Sequence, residues 1–248
     1  MSLPVAILAG GLATRMRPLT ERIPKALIEV AGQPFAAHQL ELLKRHGFDR
    51  VVFCVGYLGE MVQEALGDGG RWGMQVSYVS DGDKLLGTGG ALRKALPLLG
   101  EAFLVLYGDA YLDCDYRGIE TAFLKSGKLG LMTVFRNANT WGQSNVFFQN
   151  RQIIRYDKHH PTPEMQHIDY GVEALKAEVF EKYLPGTVLD LSTVLKDLVR
   201  RGELAAVEVT QRFYEVGSPD GLRETHDYLK SRNSSGLSGH TSSLSENC

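Results

Sequence analysis

Cysteine is nearly absent: three occur in 248 residues, Cys54, Cys114 and Cys248. They form no C-x-x-C pair, and a sparse, odd set excludes a disulfide scaffold and suits a reducing compartment. Charge of one sign is lacking too. With 27 basic against 29 acidic residues the formal net charge is −2, which argues against a general nucleic-acid or anionic-membrane binder. Long apolar runs are missing. The stretch in "MSLPVAILAGG" is far too short to span a bilayer and has no basic region before it, so a cytoplasmic location is the expectation. Familiar motifs are missing as well. There is no H-x-x-x-H or H-E-x-x-H for zinc, no G-K-[ST] for a P-loop, and no G-x-G-x-x-G with an acid ending the second strand.

What is present is a strand–helix alternation. "PVAILA" (4–9), "RVVFCVG" (50–56), "MQVSYV" (74–79) and "AFLVLYG" (102–108) read as short buried strands. Between them, 36–47, 59–69 and 88–100 space their apolar residues as helices do. This predicts an α/β fold, a Rossmann-like and mostly parallel sheet with helices on both faces. Ligands of such sheets bind at the carboxyl ends of the strands. After residue 129 the pattern changes. A strand (129–136), a hairpin around Asn150-Arg151 (145–158), a strand (169–175), a helix (191–202) and two short strands lead to a last helix. That helix opens with Ser218 as N-cap and Pro219 at its first position. Residues 233–248, serine- and glycine-rich from Ser234, read as a disordered tail or cloning remnant.

Two strand ends carry chemistry. "LAGGLATRMRPLT" (8–20) follows the first strand with Gly10 and Gly11, whose backbones can approach a phosphate or base closely. Arg15, Arg17, Arg22 and Lys25 then set four cations against the single acid Glu21, a concentration of charge that suits a triphosphate. Asp109 follows the strand ending "LYGD", where a carboxylate can hold Mg²⁺ together with substrate phosphates. Glu215, between an aromatic strand and a helix start, is the candidate second acid. Lys158 is either a partner for a sugar phosphate or a solvated hairpin end. "LLGTGGAL" (85–92) either admits a flat ligand or serves tight packing.

In this order, "LAGGLATRMRPLT", "PKALIEVAGQPF", "GTGGAL", "YGDAYLD", "YDK", "YGVEAL" and "EVGSPDGL" resemble the sugar-1-phosphate nucleotidyltransferases over about residues 5–230. The first half looks closest to N-acetylmuramate-1-phosphate uridylyltransferases and heptose-1-phosphate guanylyltransferases. The resemblance implies one nucleotidyltransferase domain over 1–232. Its nucleotide-binding half would span about 1–115, and its sugar-binding half, with the β-hairpin, about 116–232. It implies a Mg²⁺-dependent joining of a nucleoside triphosphate to a sugar 1-phosphate, with pyrophosphate released, and leaves monomer or homodimer open. Leu8, Ala9, Gly10 and Gly11 would line base and ribose, with Gly87 and Thr88 against the nucleoside. Arg15 would hold the β- and γ-phosphates, and Lys25 the α-phosphate or sugar phosphate. Asp109 and Glu215 would bind the metal. Lys158 would meet the sugar phosphate, while Asp157, Asp169 and Gly171 would shape the sugar pocket. Four positions depart from the family: Ala13 for glycine, Asp157 for glutamate, Glu215 for aspartate and Ser144 for glycine. Base choice would rest on backbone and loop residues near 80–88. A cytidylyltransferase acting on a phosphorylated alcohol, or a silent nucleotide-sensing domain, would use the same loop.

Overall fold

A computed structural model describes residues 2–237. In chain order the elements are β1 (Val5–Ala9), β2 (Glu29–Val30), β3 (Gln33–Pro34), α1 (Phe35–Arg45), β4 (Arg50–Val55), α2 (Gly59–Leu66), β5 (Gln75–Ser80) and α3 (Gly87–Leu99). Then follow β6 (Ala102–Tyr107), β7 (Ala110–Tyr111), α4 (Tyr116–Ser126), β8 (Gly130–Arg136), β9 (Val146–Gln149) and β10 (Gln152–Tyr156). The chain continues with β11 (His167–Lys176), α5 (Leu191–Arg200), β12 (Leu204–Val209), β13 (Tyr214–Glu215) and α6 (Pro219–Leu237). Of the expected tail, residues 238–248 lie outside the described residues, and α6 runs on through Leu237.

The central sheet has nine strands, with β10-β9-β11-β6-β1-β4-β5 in spatial order and β8 and β12 joined to it through β11. Strands β6, β1, β4 and β5 are mutually parallel. β11 reverses direction, running antiparallel to both β6 and β8. This is the mixed, largely parallel α/β sheet that the alternation predicts. It is buried on both faces, which is why β1 and β4 are continuous apolar runs and do not alternate with polar residues. Val5 and Ile7 face α1, α2, α4 and α6, while Ala6 and Leu8 face α3 and α5. No helix among the described residues is long and apolar enough to cross a membrane.

Local chemistry fixes the joints. The β9–β10 hairpin turns at Asn150 and Arg151, with φ of 51° and 62°, the left-handed pair that a tight hairpin demands. Asp115 and Asp190 cap α4 and α5, accepting from the Gly118 and Ser192 N–H groups at 2.9 and 2.7 Å. Ser218 caps α6 through the Gly221 N–H at 3.1 Å, with Pro219 first in the helix.

The glycines that open α3 serve close packing. The N–H groups of Gly89 and Gly90 both reach the Leu189 carbonyl, at 2.8 and 3.1 Å. A Cβ on Gly90 would stand 2.5 Å from the Thr187 carbonyl oxygen and 2.9 Å from Leu86 Cβ. Gly90→Ala is therefore expected to lower stability by about 1–3 kcal/mol, the usual cost of forcing an extra methyl into a packed contact. Denaturant titration of the two proteins measures it.

Candidate active site

The carboxyl ends of β5, β4, β1 and β6 surround a cavity of about 250 Å³. Its wall includes Leu8, Ala9, Gly10 and Gly11 from the end of β1, together with Lys25, Gly87, Thr88 and Asp109. These eight residues, chosen from the sequence, converge on one space. The convergence depends on a close approach: the Gly108 N–H bonds the Leu8 carbonyl at 2.9 Å, and a Cβ at Gly108 would stand 2.7 Å from that oxygen. Ala13 sits at φ 48° and ψ 40°, so the loop holds a left-handed turn against the preference of alanine.

Lys25 opens a 3-10 turn behind Pro24, and its Nζ meets Asp109 Oδ2 at 2.8 Å, both side chains partly exposed. The second acid arrives by a different route from the one its sequence context suggests. Glu215 lies off the main sheet, on the two-residue ribbon β13, where it pairs with Ala110 of β7; the Val216 N–H bonds the Asp109 carbonyl at 2.8 Å. Helix α6 clamps the ribbon, with Thr225 Oγ1 donating to the Glu215 carbonyl at 2.9 Å. Burial first, and then the charge of Asp109, push the Glu215 carboxyl above its ordinary range, against the pull of Arg15 and Lys25. A Cβ on Gly217 would touch both Glu215 Oε2 (3.0 Å) and an Arg15 terminal nitrogen (3.3 Å), so the guanidinium lies beside that carboxylate. Two acids and two cations thus lie close together, with Lys25 and Asp109 on the cavity wall and Glu215 and Arg15 beside them.

The sugar-side candidates divide. Lys158 Nζ donates to Tyr107 Oη at 3.2 Å, and Tyr107 is part of the cavity wall. Gly171, at φ 100°, lies against the same ring, 3.4 Å from Tyr107 Cδ2 to the position of a Cβ. Asp169 accepts from Tyr156 Oη at 2.9 Å. Asp157 is engaged elsewhere. Lys196 of α5 bonds its Oδ1 at 2.9 Å and the N–H groups of His159 and His160 add to this, holding the carboxyl below its ordinary range. Thr88 spends its hydroxyl as an acceptor for the Leu191 N–H at 2.8 Å. Three residues were not singled out from sequence. Tyr107 ends β6 inside "LYGD", and Asp81 follows β5 as Asp109 follows β6, a positional signal that its turn-like surroundings obscure. Glu173, fully buried on β11 beside Asp169, carries no local signal at all.

The nucleotidyl transferase family model matches residues 5–157, well over half of the chain. The chain belongs to this family. An N-acetylmuramate alpha-1-phosphate uridylyltransferase of Neisseria meningitidis is 30% identical over 235 residues, covering 88% of this chain and 94% of that protein. A mannose-1-phosphate guanyltransferase of Xenopus laevis is 27% identical, across 91% of this chain and 64% of that one. Among solved structures, HddC of Yersinia pseudotuberculosis, in complex with GMP-PN, superposes with a TM-score of 0.74 at 21% identity, over 93% of this chain and all of that one. A Bacillus anthracis protein described as a glucose-1-phosphate thymidylyltransferase gives 0.83 at 20% identity, over 99% and 98%. This nucleotidyltransferase is an enzyme of the sugar-1-phosphate group, and its fold is theirs.

Within it, Glu173 makes a prediction about pH. Burial, then the charge of Asp169, raise its carboxyl well above the ordinary range, with Lys158 opposing. A carboxyl whose pKa is raised by folding holds its proton more tightly folded than unfolded, so the stability it allows at low pH is lost as pH rises. Glu173→Gln keeps the neutral shape and removes the titration. Its melting temperature is expected to exceed the parent's by at least about 2 °C at pH 8. The gain is expected to shrink to nothing as pH falls to about 4, below the unfolded value.

Proposed function

We propose that this enzyme transfers the nucleotidyl group of a nucleoside triphosphate to a sugar 1-phosphate, releasing pyrophosphate. Residues of about 1–115 hold the nucleotide, and those of about 116–232 hold the sugar. One observation carries the reading: Lys25 and Asp109 pair on the wall of a cavity that Gly10 and Gly11 also line, and Glu215 and Arg15 stand close to that pair.

Asp109 and Glu215 fit a divalent cation such as Mg²⁺. Glu215, whose ionisation burial and then the charge of Asp109 disfavour, gains from a cation between the two carboxylates, and Mg²⁺ takes one or two carboxylates and completes its shell with phosphates and water. Among the described residues no group of three or more His, Cys, Asp or Glu could hold a metal, so substrate oxygens supply the remaining ligands. Bound there, the ion would neutralise phosphate charge.

The other steps belong to the chain's own residues. A sugar phosphate is already an oxyanion, so the reaction needs no covalent enzyme nucleophile. The acceptor oxygen must be held in line with the α-phosphorus, and the charge leaving with pyrophosphate must be met. Lys25, anchored on Asp109, is placed for the α-phosphate, and Arg15 for the phosphates that depart. Lys158 on the Tyr107 edge and the irregular stretch of β11 at Asp169–Gly171 would meet the sugar phosphate.

The test is pyrophosphate release in Mg²⁺ over a crossed panel of triphosphates and phosphate acceptors. Turnover is expected with a sugar 1-phosphate; turnover only with phosphocholine would favour the rival cytidylyltransferase. Asp109→Asn is expected to abolish most turnover while leaving the melting curve intact. Arg15→Ala and Lys25→Ala should each cost about 10²–10³ in kcat/KM, the usual penalty for one preorganised charge-stabilising donor. They should fail differently, Arg15→Ala by weakening triphosphate binding and Lys25→Ala by slowing the single-turnover rate.

A further inference from the structure

The second acid, Glu215, is carried on a ribbon of two residues, and so short a ribbon is not stable by itself. Two contacts fix the chain on its C-terminal side: the Val216 N–H on the Asp109 carbonyl, and Thr225 Oγ1 on the Glu215 carbonyl. On the N-terminal side the chain is irregular, since residues 210–213 belong to no strand or helix. The restraint there is the ring next to Glu215. Tyr214 stacks on Tyr228 of α6, the ring centroids 4.0 Å apart and the planes within 16° of parallel. The Arg212 guanidinium also lies over Tyr214, at 4.9 Å, and pairs with Glu224 of the same helix.

Tyr228 is itself mounted on a fixed support. Tyr111 of β7, opposite Tyr214 in the register, meets the Tyr228 ring edge-on at 6.1 Å. The Tyr228 hydroxyl donates to Asp113, just past β7, at 3.3 Å and accepts from Arg232 at 3.0 Å; Arg232 also pairs with Asp113. His226 Nδ1 accepts the Ala31 N–H at 3.2 Å, which joins α6 to the turn between β2 and β3. Side chains alternate along a strand, so Tyr214 and Glu215 project from opposite faces of the ribbon. A tilt of the Tyr214 ring about the strand axis is therefore a tilt of Glu215. A glutamate carboxylate stands one methylene further from its backbone than that of an aspartate, so the same tilt displaces it further.

We infer that Tyr228 is a positioning residue for the second acid: through the Tyr214 stack it holds Glu215 towards Asp109, and so sets how well the two carboxylates take a divalent cation. The cavity wall does not include Tyr228, so its influence passes through Glu215. Groups that orient a metal-binding carboxylate from behind govern metal affinity nearly as strongly as the carboxylate does. The flat ring matters for this. Stacked rings restrain tilt as well as separation, which a branched aliphatic side chain of similar bulk does not.

This inference rests on the proposed metal pair, and its test separates the two. Calorimetry of the full chain with the α,β-methylene analogues of UTP, GTP, CTP and dTTP finds the one bound most tightly. That analogue is then titrated with and without Mg²⁺, and the ratio of the two affinities is the metal-linked gain. The parent is expected to show a gain of about 10- to 100-fold, and Glu215→Gln to lose most of it. Tyr228→Ala should lower the gain by about threefold or more while leaving the metal-free affinity unchanged. Tyr228→Phe keeps the ring and gives up the Asp113 and Arg232 bonds, and it should keep the gain. An unchanged gain in folded Tyr228→Ala, equal weakening with and without metal, or an equal loss in Tyr228→Phe overturns the positioning role alone. A gain that survives Glu215→Gln, or no binding by any analogue, overturns the metal pair and this inference with it. Should Tyr228→Ala fail to fold, Tyr228→Leu carries the same expectation. If neither folds, Tyr228 serves stability and the positioning role is overturned.

Discussion

The site depends on how closely two parallel strands approach at their carboxyl ends. β1 is hydrogen-bonded to β4 on one side and β6 on the other, in registers that set Leu8 beside both Cys54 and Tyr107. Just beyond, Gly108 leaves β6 by packing against the Leu8 carbonyl, where no side chain fits. That contact carries Asp109 to the mouth of the Gly10-Gly11 loop. A bulkier residue at 108 would part the strand ends, and with them the backbone floor and the carboxylate.

Against this rigid floor the charges are arranged at some expense. Burial, and then the charge of Asp109, disfavour the ionisation of Glu215. Arg15 and Lys25 offset part of that cost. Perturbed acids kept beside cations in a cleft mark a place where folding stability is given up for binding. Asp81, also on the cavity wall, keeps a buried carboxylate oxygen without a partner. Both lie at the same sheet edge, one at each end of the row β6-β1-β4-β5.

The candidate sugar side is built differently. Its elements are antiparallel, with β11 running against β6 and β8, and a register shift between Asp169 and Glu173 sets Gly171 against Tyr107. Helix α5 packs on the hairpin strand β10, which draws Lys196 onto Asp157. Lys158, one residue on, is left facing the cavity wall through Tyr107. Adjacent residues on one strand end thus meet different partners, Lys196 and Tyr107.

The sequence by itself determined what is local. Apolar runs with no alternation mark strands covered on both faces, and the helical spacing between them makes those strands parallel. Asn150-Arg151, Ser218-Pro219 and the glycines after β1 each announce a turn or cap. From these alone the strand-end residues Gly10, Gly11 and Asp109 could be placed in one region. Which side chains meet there was decided only by the tertiary structure. Lys25 and Asp109 are 84 positions apart, and nothing in either segment specifies their 2.8 Å ion pair. Glu215 reaches them through a two-residue ribbon too short to leave a periodic signal. Asp81 reaches the cavity wall through the strand order, and Asp157 meets Lys196 only because α5 packs on β10. Periodicity and turn chemistry act over a few residues. Strand order and helix packing act across the chain, and they choose the partner of every charge.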